Sequence, residues 1–377
     1  MKISKLCLEN FRNIKQMELH PHDNINVIYG DNAQGKTNIL EAVWLFSGAR
    51  SFRGAKDSEL IHFEEDISRL SMDFMAEERL QTASLTFGKA GILNEGRKQT
   101  FLNEIKQSGQ SKLAGVFCTV LFSPDHLLLV KQGPEHRRRM IDQSLCQAYP
   151  KYAKILDTYQ KILKQRASLL RDIPRSGALL DMLDVWDKSF VDYGAYITAV
   201  RAGYVRKLAR AAGEIYGGIS REKEQLTVQY RLSFGPEQES CDNYTREDYK
   251  QALEQALKDC RREDIAQGHS TIGPHRDDME IAINGNSARS FGSQGQQRSV
   301  VLALKLAECA ILKERNGEPP VILLDDVMSE LDEARRHYLL NYLKDEQILI
   351  TCCDAALFAG LEKGSVFRVE NGVLAAQ

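Results

Sequence analysis

A mixed α/β fold carrying an inserted, mainly helical domain is predicted by three observations along the 377 residues. Residues Gly30 to Thr37 read G-D-N-A-Q-G-K-T between a strand-like run, Asn24 to Tyr29, and a helical pattern through Ile39, Leu40, Val43, Trp44 and Leu45. Far downstream, Val321-Ile322-Leu323-Leu324 reads as a strand buried on both faces and ends on Asp325-Asp326. Between the two, from about Tyr149, apolar residues recur at helical spacing. The ends of the chain therefore supply the halves of one α/β domain, with a helical insertion between them.

The elements follow in order. Ile3 to Phe11, Leu70 to Phe74, Ala83 to Phe87 and Thr100 to Ile105 have strand length and alternate or cluster their apolar residues, which predicts an antiparallel flank. Ile155, Leu156, Tyr159, Ile162 and Leu163 begin the helical stretch, and Pro174-Arg175-Ser176-Gly177 interrupts it. Trp186, Phe190, Tyr193, Ile197, Val200 and Tyr204 then alternate steps of four and three, the pattern of two antiparallel helices packed as a short arm. Their aromatic rings read as core packing ahead of a base-stacking platform, because each has a helix to bury against. A polar segment from Pro236 to Thr245 leads to an amphipathic helix, Tyr249 to Cys260. Gln347 to Thr351 reads as another strand, and Val366 to Val369 with Val373-Leu374 as a hairpin around Asn371-Gly372.

Between strand and helix, the Gly30 motif is a phosphate-binding loop. Gly30, Asp31, Asn32, Ala33, Gln34, Gly35, Lys36, Thr37 and Asn38 are the predicted ATP-binding residues. The two glycines let backbone N–H groups close on phosphate oxygens, Lys36 adds a point charge, and Thr37 offers a hydroxyl to Mg2+. Asp325, at the end of a buried strand, is the expected second metal ligand, and Asp326 is placed to polarise an attacking water. Lys36 and Asp326 are thus the catalytic candidates. Ser329-Glu330-Leu331-Asp332 follows as a loop able to carry information to a neighbouring subunit.

Composition limits the partners. Hydrophobic residues make up 43% and charged residues 27%, ordinary for a soluble protein of about two domains, and the net charge of −2 means that any DNA-binding surface must be a local basic patch. No apolar stretch approaches the roughly 18 residues that span a bilayer, and the chain opens into a strand-like run instead of a signal peptide. A cytoplasmic protein is expected. Eight cysteines lack the C-x-x-C spacing of zinc sites and read as reduced, mostly packed thiols.

Two further segments carry chemistry. Ser293-Gln294-Gly295-Gln296-Gln297-Arg298 precedes the helical pattern of Val300, Val301, Leu304 and Ala307. Ser293 fits a helix N-cap, and it equally fits a second anion site facing a γ-phosphate bound by another copy of the chain. Arg137-Arg138-Arg139 is the densest basic run and the candidate DNA contact, and it fits a nucleotide-sensing loop as well. With no helix-turn-helix or zinc finger, DNA recognition should run through the phosphate backbone.

Together with Asn10-Phe11-Arg12-Asn13, Phe122-Ser123-Pro124-Asp125, Gly133-Pro134, Gly273-Pro274-His275-Arg276-Asp277-Asp278 and Leu323 to Asp332, these motifs resemble those of the bacterial RecF family over essentially the whole chain. That family comprises recombinational-repair ATPases related to the ATP-binding-cassette heads of chromosome-maintenance proteins. The resemblance implies a P-loop ABC-type ATPase head, here residues 1–125 and 268–377, with the helical insertion at 126–267. It implies that Ser293, Gln294, Gly295 and Gln296 act in trans as the signature motif, with Ser329 and Asp332 in communication across a homodimer. ATP would be sandwiched between two subunits that clamp DNA, with RecR and RecO as partners and RecA loading at single-strand gaps as the task. Two departures from a general cassette ATPase predict slow hydrolysis: Cys352, Cys353 and Asp354 stand where a switch histidine is usual, and Asp326 where glutamate is common. His126 is a further local variation. A transporter ATPase subunit lacks such an insertion, a chromosome-scaffold head carries far longer coiled coils, and a third reading takes ATP purely as a dimerisation ligand.

Overall fold

The computed structural model describes residues 1–93, 97–235, 244–354 and 364–375. In chain order the elements are β1 (Lys2–Phe11), β2 (Ile14–Leu19), β3 (Ile25–Tyr29), α1 (Lys36–Leu45), β4 (Ile67–Ala76), β5 (Arg79–Gly88), β6 (Lys98–Leu102), β7 (Ile105–Gln107) and β8 (Thr119–Phe122). Then come α2 (Leu128–Lys131), α3 (Pro134–Ala148), α4 (Pro150–Asp172), α5 (Leu180–Ser220), β9 (Leu226–Arg231), α6 (Arg246–Asp259), α7 (Arg261–Gln267), β10 (Asp278–Ile283), β11 (Asn286–Ser287), α8 (Ala288–Phe291) and α9 (Gln294–Asn316). The chain closes with β12 (Val321–Asp325), α10 (Glu333–Tyr342), β13 (Ile348–Cys352), β14 (Gly364–Glu370) and β15 (Val373–Ala375).

Two compact units result: Met1–His126 with Lys305–Gln377, and Leu127–Leu304. Residues 268–304 group with the second. The first unit holds two six-stranded sheets. One is antiparallel, ordered β2-β1-β4-β5-β6-β7, and the other is ordered β15-β14-β3-β13-β12-β8 with a parallel centre. β12 and β13 are buried at every residue, which accounts for their unbroken apolar runs. β1 and β4 alternate because one face of their sheet is solvated. α1 is buried almost all round, and its side chains share a core with residues of both sheets. Gln347 joins the ends of the chain: its Oε1 accepts the Ile3 N–H at 2.6 Å, and its Nε2 donates to the Ile3 and His22 carbonyls at 2.9 and 3.0 Å.

Thr100 to Ile105 is not one strand. Asn103 and Glu104 take left-handed conformations (φ 49° and 65°) and fold it into the β6–β7 hairpin. Asn371-Gly372 turns the β14–β15 hairpin with the same sign of φ at both positions, as its sequence predicts. Of the polar segment, residues 236–243, including Cys241, lie outside the described residues.

In the second unit α4 and α5 form the antiparallel pair. Leu170 clusters with Leu183, Arg166 meets Asp187, Tyr159 meets Phe190, and Tyr152 meets Arg201, so the partner number rises as the α4 number falls. Phe190, Ile197 and Tyr204 are buried, the core role their spacing predicts. At the base of this pair the loop from Ser270 to Asp278 is held by buried polar contacts. Arg201 donates to the Pro274 carbonyl at 2.5 Å, Tyr230 donates to Asp277 at 2.8 Å, and Ser233 reaches both Gly273 and Asp277.

His275 belongs to this network as a neutral ring. Its Nε2 lies 3.2 Å from the Ser270 carbonyl, so it donates there, and its Nδ1 accepts from the Tyr159 hydroxyl at 2.9 Å. Burial, together with the nearby Arg276, Arg138 and Arg166 cations, pulls its pKa down to about 4. The unfolded chain binds this proton near pH 6.5 and the folded chain does not. Stability of the second unit is therefore full above pH 6.5 and falls as pH drops toward 4, by roughly 3 kcal/mol. Urea midpoints across that range should show the decline, and His275→Gln should flatten it; equal slopes in the two proteins would refute the assignment.

Candidate nucleotide site

The phosphate loop leaves β3 at Gly30 (φ 153°), turns left-handed at Ala33 (φ 66°) and enters α1 through Gly35 (φ 108°). A Cβ on Gly30 would stand 2.3 Å from the Val369 carbonyl oxygen, so the close approach of β14 demands glycine. Asn13, in the β1–β2 turn, supports one side: its Nδ2 donates to the Ala33 carbonyl at 3.3 Å, and its Oδ1 accepts from Asn38 at 2.7 Å. The β14–β15 turn supports the other, where the Asn371 N–H donates to Gln34 Oε1 at 2.5 Å and the Gly372 N–H to the Gln34 carbonyl at 3.1 Å. Beneath the loop, buried Glu41 of α1 takes a bidentate Arg12 at 2.9 and 3.0 Å and the Ser51 hydroxyl at 2.5 Å.

Lys36 is buried in its stem, and its ammonium donates to the Gly30 and Asp31 carbonyls at 2.5 and 2.8 Å. Thr37 donates to Asp325 Oδ1 at 2.8 Å, and Thr351 donates to the same oxygen at 2.8 Å. Side chains from α1, β12 and β13 thus meet at one carboxylate. Burial raises the Asp325 pKa above the usual carboxylate range, against the pull of the Thr351 and Thr37 hydroxyls. No group of three or more His, Cys, Asp or Glu side chains among the described residues could hold a metal alone. One hydroxyl and one carboxylate on hard oxygen atoms suit Mg2+, which takes its remaining ligands from phosphate and water.

Asp326 follows in a left-handed conformation (φ 52°), its N–H donating to Thr351 Oγ1 at 3.0 Å. The Ser329 hydroxyl donates to the Asp326 carbonyl at 2.8 Å, and Asp332 caps α10 by accepting the Arg335 N–H at 2.9 Å. Where the switch histidine is expected, β13 ends on Cys352, whose thiol burial pushes up to about 11, and exposed Cys353 follows, with its Sγ 3.8 Å from Lys36 Nζ and 3.3 Å from Asn32 Oδ1.

In the second unit Ser293 precedes α9 in a reciprocal capping box. Its Oγ accepts the Gln296 N–H at 3.2 Å, and Gln296 Oε1 accepts the Ser293 N–H at 2.8 Å. Gln294, Gly295 and Gln296 lie in the first turn of the helix, and Ser293 and Gln294 are exposed.

The basic run does not form one cationic surface. Arg137 is 5% exposed and spends four N–H groups inside the protein, two on Asp278 at 2.7 and 2.9 Å and two on the Leu129 and Gln132 carbonyls. Arg138 is half-buried and donates to the Asp277 carbonyl at 2.6 Å, and burial lowers its pKa. Only Arg139 of the three is exposed. On a helix three consecutive residues point in three directions, which a charge count along the sequence overlooks.

Thr351, Asn13 and the Arg12–Glu41–Ser51 group escaped the sequence reading as site residues. The signals were present: a threonine closing an apolar strand, and a glutamate on the buried face of α1.

A phosphate loop, an acidic strand end touching its threonine, and a sheet with a parallel centre beside an antiparallel sheet define an ABC-type ATPase head. Residues 2–374 match the model of the RecF/RecN/SMC N terminal domain family, and the chain belongs to the RecF family. It is 38% identical to the DNA replication and repair protein RecF of Acetivibrio thermocellus over 376 residues, 99% of each chain. With the Agathobacter rectalis protein of the same name it shares 38% over 374 residues, 99% of this chain and 98% of that one. Among solved structures it is similar to the recombination mediator protein RecF with ATP in the RecFOR pathway, at a TM-score of 0.90 and 34% identity over 99% and 97% of the two chains. The Smc head domain of Pyrococcus furiosus shares the fold, at a TM-score of 0.54 and 17% identity over 99% and 95%.

Proposed function

We propose that the protein is an ATP-dependent DNA-binding protein of recombinational repair, in which ATP joins two copies into a clamp on DNA and slow hydrolysis releases them. The observation that carries this reading is the meeting of Thr37, Asp325 and Thr351 at one carboxylate oxygen, which brings the phosphate loop and the acidic strand end together. Similarity to ATP-bound RecF supports it.

Residues 1–125 and 268–377 form the ATPase domain in this reading, and 126–267 the insertion. Gly30 to Asn38 surround the phosphates with N–H groups, and Lys36 turns its ammonium from loop carbonyls to phosphate oxygens. Thr37 and Asp325 hold Mg2+, which when bound neutralises and orients the phosphate oxygens. Asp326 polarises the attacking water, and its short side chain, with a thiol at Cys353 in place of an imidazole, keeps turnover low. Ser293 to Gln296 meet the γ-phosphate of the other copy, and Ser329 and Asp332 report its arrival. DNA is held through its phosphates, with Arg139 as the remaining candidate of the basic run. RecR and RecO are the partners, loading of RecA at single-strand gaps the outcome, and the cytoplasm the compartment. No helix among the described residues is long and apolar enough to cross a membrane.

Sedimentation and DNA retention, with and without ATP and Mg2+, test the clamp. ATP should yield a DNA-bound dimer that Lys36→Met cannot form and that Asp326→Asn holds at least tenfold longer, as expected when hydrolysis is the release step. Mass and retention indifferent to ATP in all three proteins would end this reading.

A further inference from the structure

The signature segment is wired to the long arm helix through a residue that belongs to none of the sequence motifs. Glu224 lies in the short connection between α5 and β9. Its Oε1 accepts from Gln296 Nε2 at 2.7 Å, and its Oε2 accepts from the Tyr216 hydroxyl at 2.6 Å. Tyr216 is fully buried in the last turns of α5, the 41-residue helix that forms half of the arm. The connection is itself pinned, since the Ser220 hydroxyl lies 3.4 Å from the Glu224 carbonyl.

This wiring decides how the signature presents itself. A carboxylate is an acceptor only, so it takes the amide NH2 of Gln296 and turns the amide oxygen toward the Ser293 N–H, 2.8 Å away. With that N–H satisfied and one lone pair of the Ser293 hydroxyl taken by the Gln296 N–H, the hydroxyl proton remains to be donated outward. Ser293 is exposed, and its O–H has no acceptor among the described residues. Without Glu224 the Gln296 NH2 loses its acceptor, and the Ser293 N–H alone is left to favour that amide orientation over the flipped one, which would set an NH2 against it.

We propose that Glu224 is a positioning residue for the trans γ-phosphate contact, holding Gln296 and Ser293 in the donating arrangement and tying that arrangement to the end of the arm helix through Tyr216. The proposal rests on the reading of Ser293 as the trans contact. Through Tyr216, a shift in α5 is felt at Ser293 without any change in the phosphate loop.

The test compares Glu224→Ala, Tyr216→Phe, Gln296→Ala, Ser293→Ala and the Glu224→Ala/Gln296→Ala double variant in the full chain. ATP affinity of the monomer is measured by equilibrium dialysis at low protein concentration, and the ATP-dependent dimer constant by sedimentation. Glu224→Ala should leave monomer affinity within twofold and weaken the dimer about tenfold, the scale of one charged hydrogen bond. Tyr216→Phe should weaken it about threefold. The double variant should be no weaker than the weaker single one, because both changes break the same contact. A native dimer constant in Glu224→Ala, or additive losses in the double variant, would overturn the proposal, and so would equal loss of monomer affinity, which marks general damage. Ser293→Ala separates the layers: if it dimerises normally, the trans-contact reading falls and the role of Glu224 with it. If it fails to dimerise while Glu224→Ala is normal, only the positioning role falls.

Discussion

Asp325→Ala is expected to lower ATP hydrolysis by about a thousandfold while the protein stays folded. That loss matches several kcal/mol of transition-state charge stabilisation, the usual scale of a correctly held metal ion at a phosphoryl group. The carboxylate accepts both Thr37 and Thr351 hydroxyls at 2.8 Å, so its removal frees the threonine proposed to bind the metal as well as deleting the other proposed ligand. Burial already works against the charge of Asp325, so alanine relieves a cost in the metal-free protein as it removes function. The melting temperature without nucleotide should therefore be unchanged or higher, and the rise that Mg2+ and ATP produce in the native protein should shrink sharply. Hydrolysis within tenfold of native would remove Asp325 from the metal site.

Asp326 presents the opposite case. It leaves β12 in a left-handed conformation, held by the Thr351 hydroxyl below and Ser329 above, so its carboxylate is aimed by backbone geometry and not by burial. Such strain at a strand end is tolerable for aspartate, whose short side chain suits that conformation. In the proposed reaction the same shortness costs reach toward a water molecule, and a fixed direction with limited reach fits the slow hydrolysis proposed for this site.

What could be read from the sequence divides along physical lines. Runs such as Val321 to Leu324 announce themselves because a strand buried on both faces has no polar residue to interrupt it. The phosphate loop is legible because its backbone conformation restricts residue choice at Gly30 and Gly35. β9 and β10 are short and half-solvated, and they gain their register from each other across some 50 residues. The direction of Arg137 was hidden for the same reason, since Asp278 lies 141 residues away. Glu224 was hidden because its partners Tyr216 and Gln296 belong to separate elements, and no local pattern distinguishes it from a solvated glutamate.

Arg166→Met should destabilise the second unit by about 3–5 kcal/mol, the cost of leaving a buried carboxylate without its partner. Arg166 is fully buried, donates to Asp187 at 2.8 Å, to Asp264 at 2.6 Å and to Ser270 at 2.6 Å, and covers the Phe190 ring at 5.2 Å. Asp264 is equally inaccessible and loses its one cationic hydrogen-bond partner among the described residues when the guanidinium is gone, keeping the neutral Thr271 N–H and hydroxyl at 2.8 and 2.6 Å. Adding Asp264→Asn removes the stranded charge, so the double variant should recover at least 1 kcal/mol of the loss. Arg166→Lys should recover little, because one ammonium cannot span two carboxylates and a hydroxyl in the geometry of a planar fork. Urea midpoints measure all three. A loss below 1 kcal/mol in Arg166→Met would mean that the apolar packing of α4 on α5 holds the arm without the ion pairs. The predicted loss would place the register of the arm, and with it the base on which the Ser270 to Asp278 loop rests, under the control of one guanidinium that no sequence pattern marks as special.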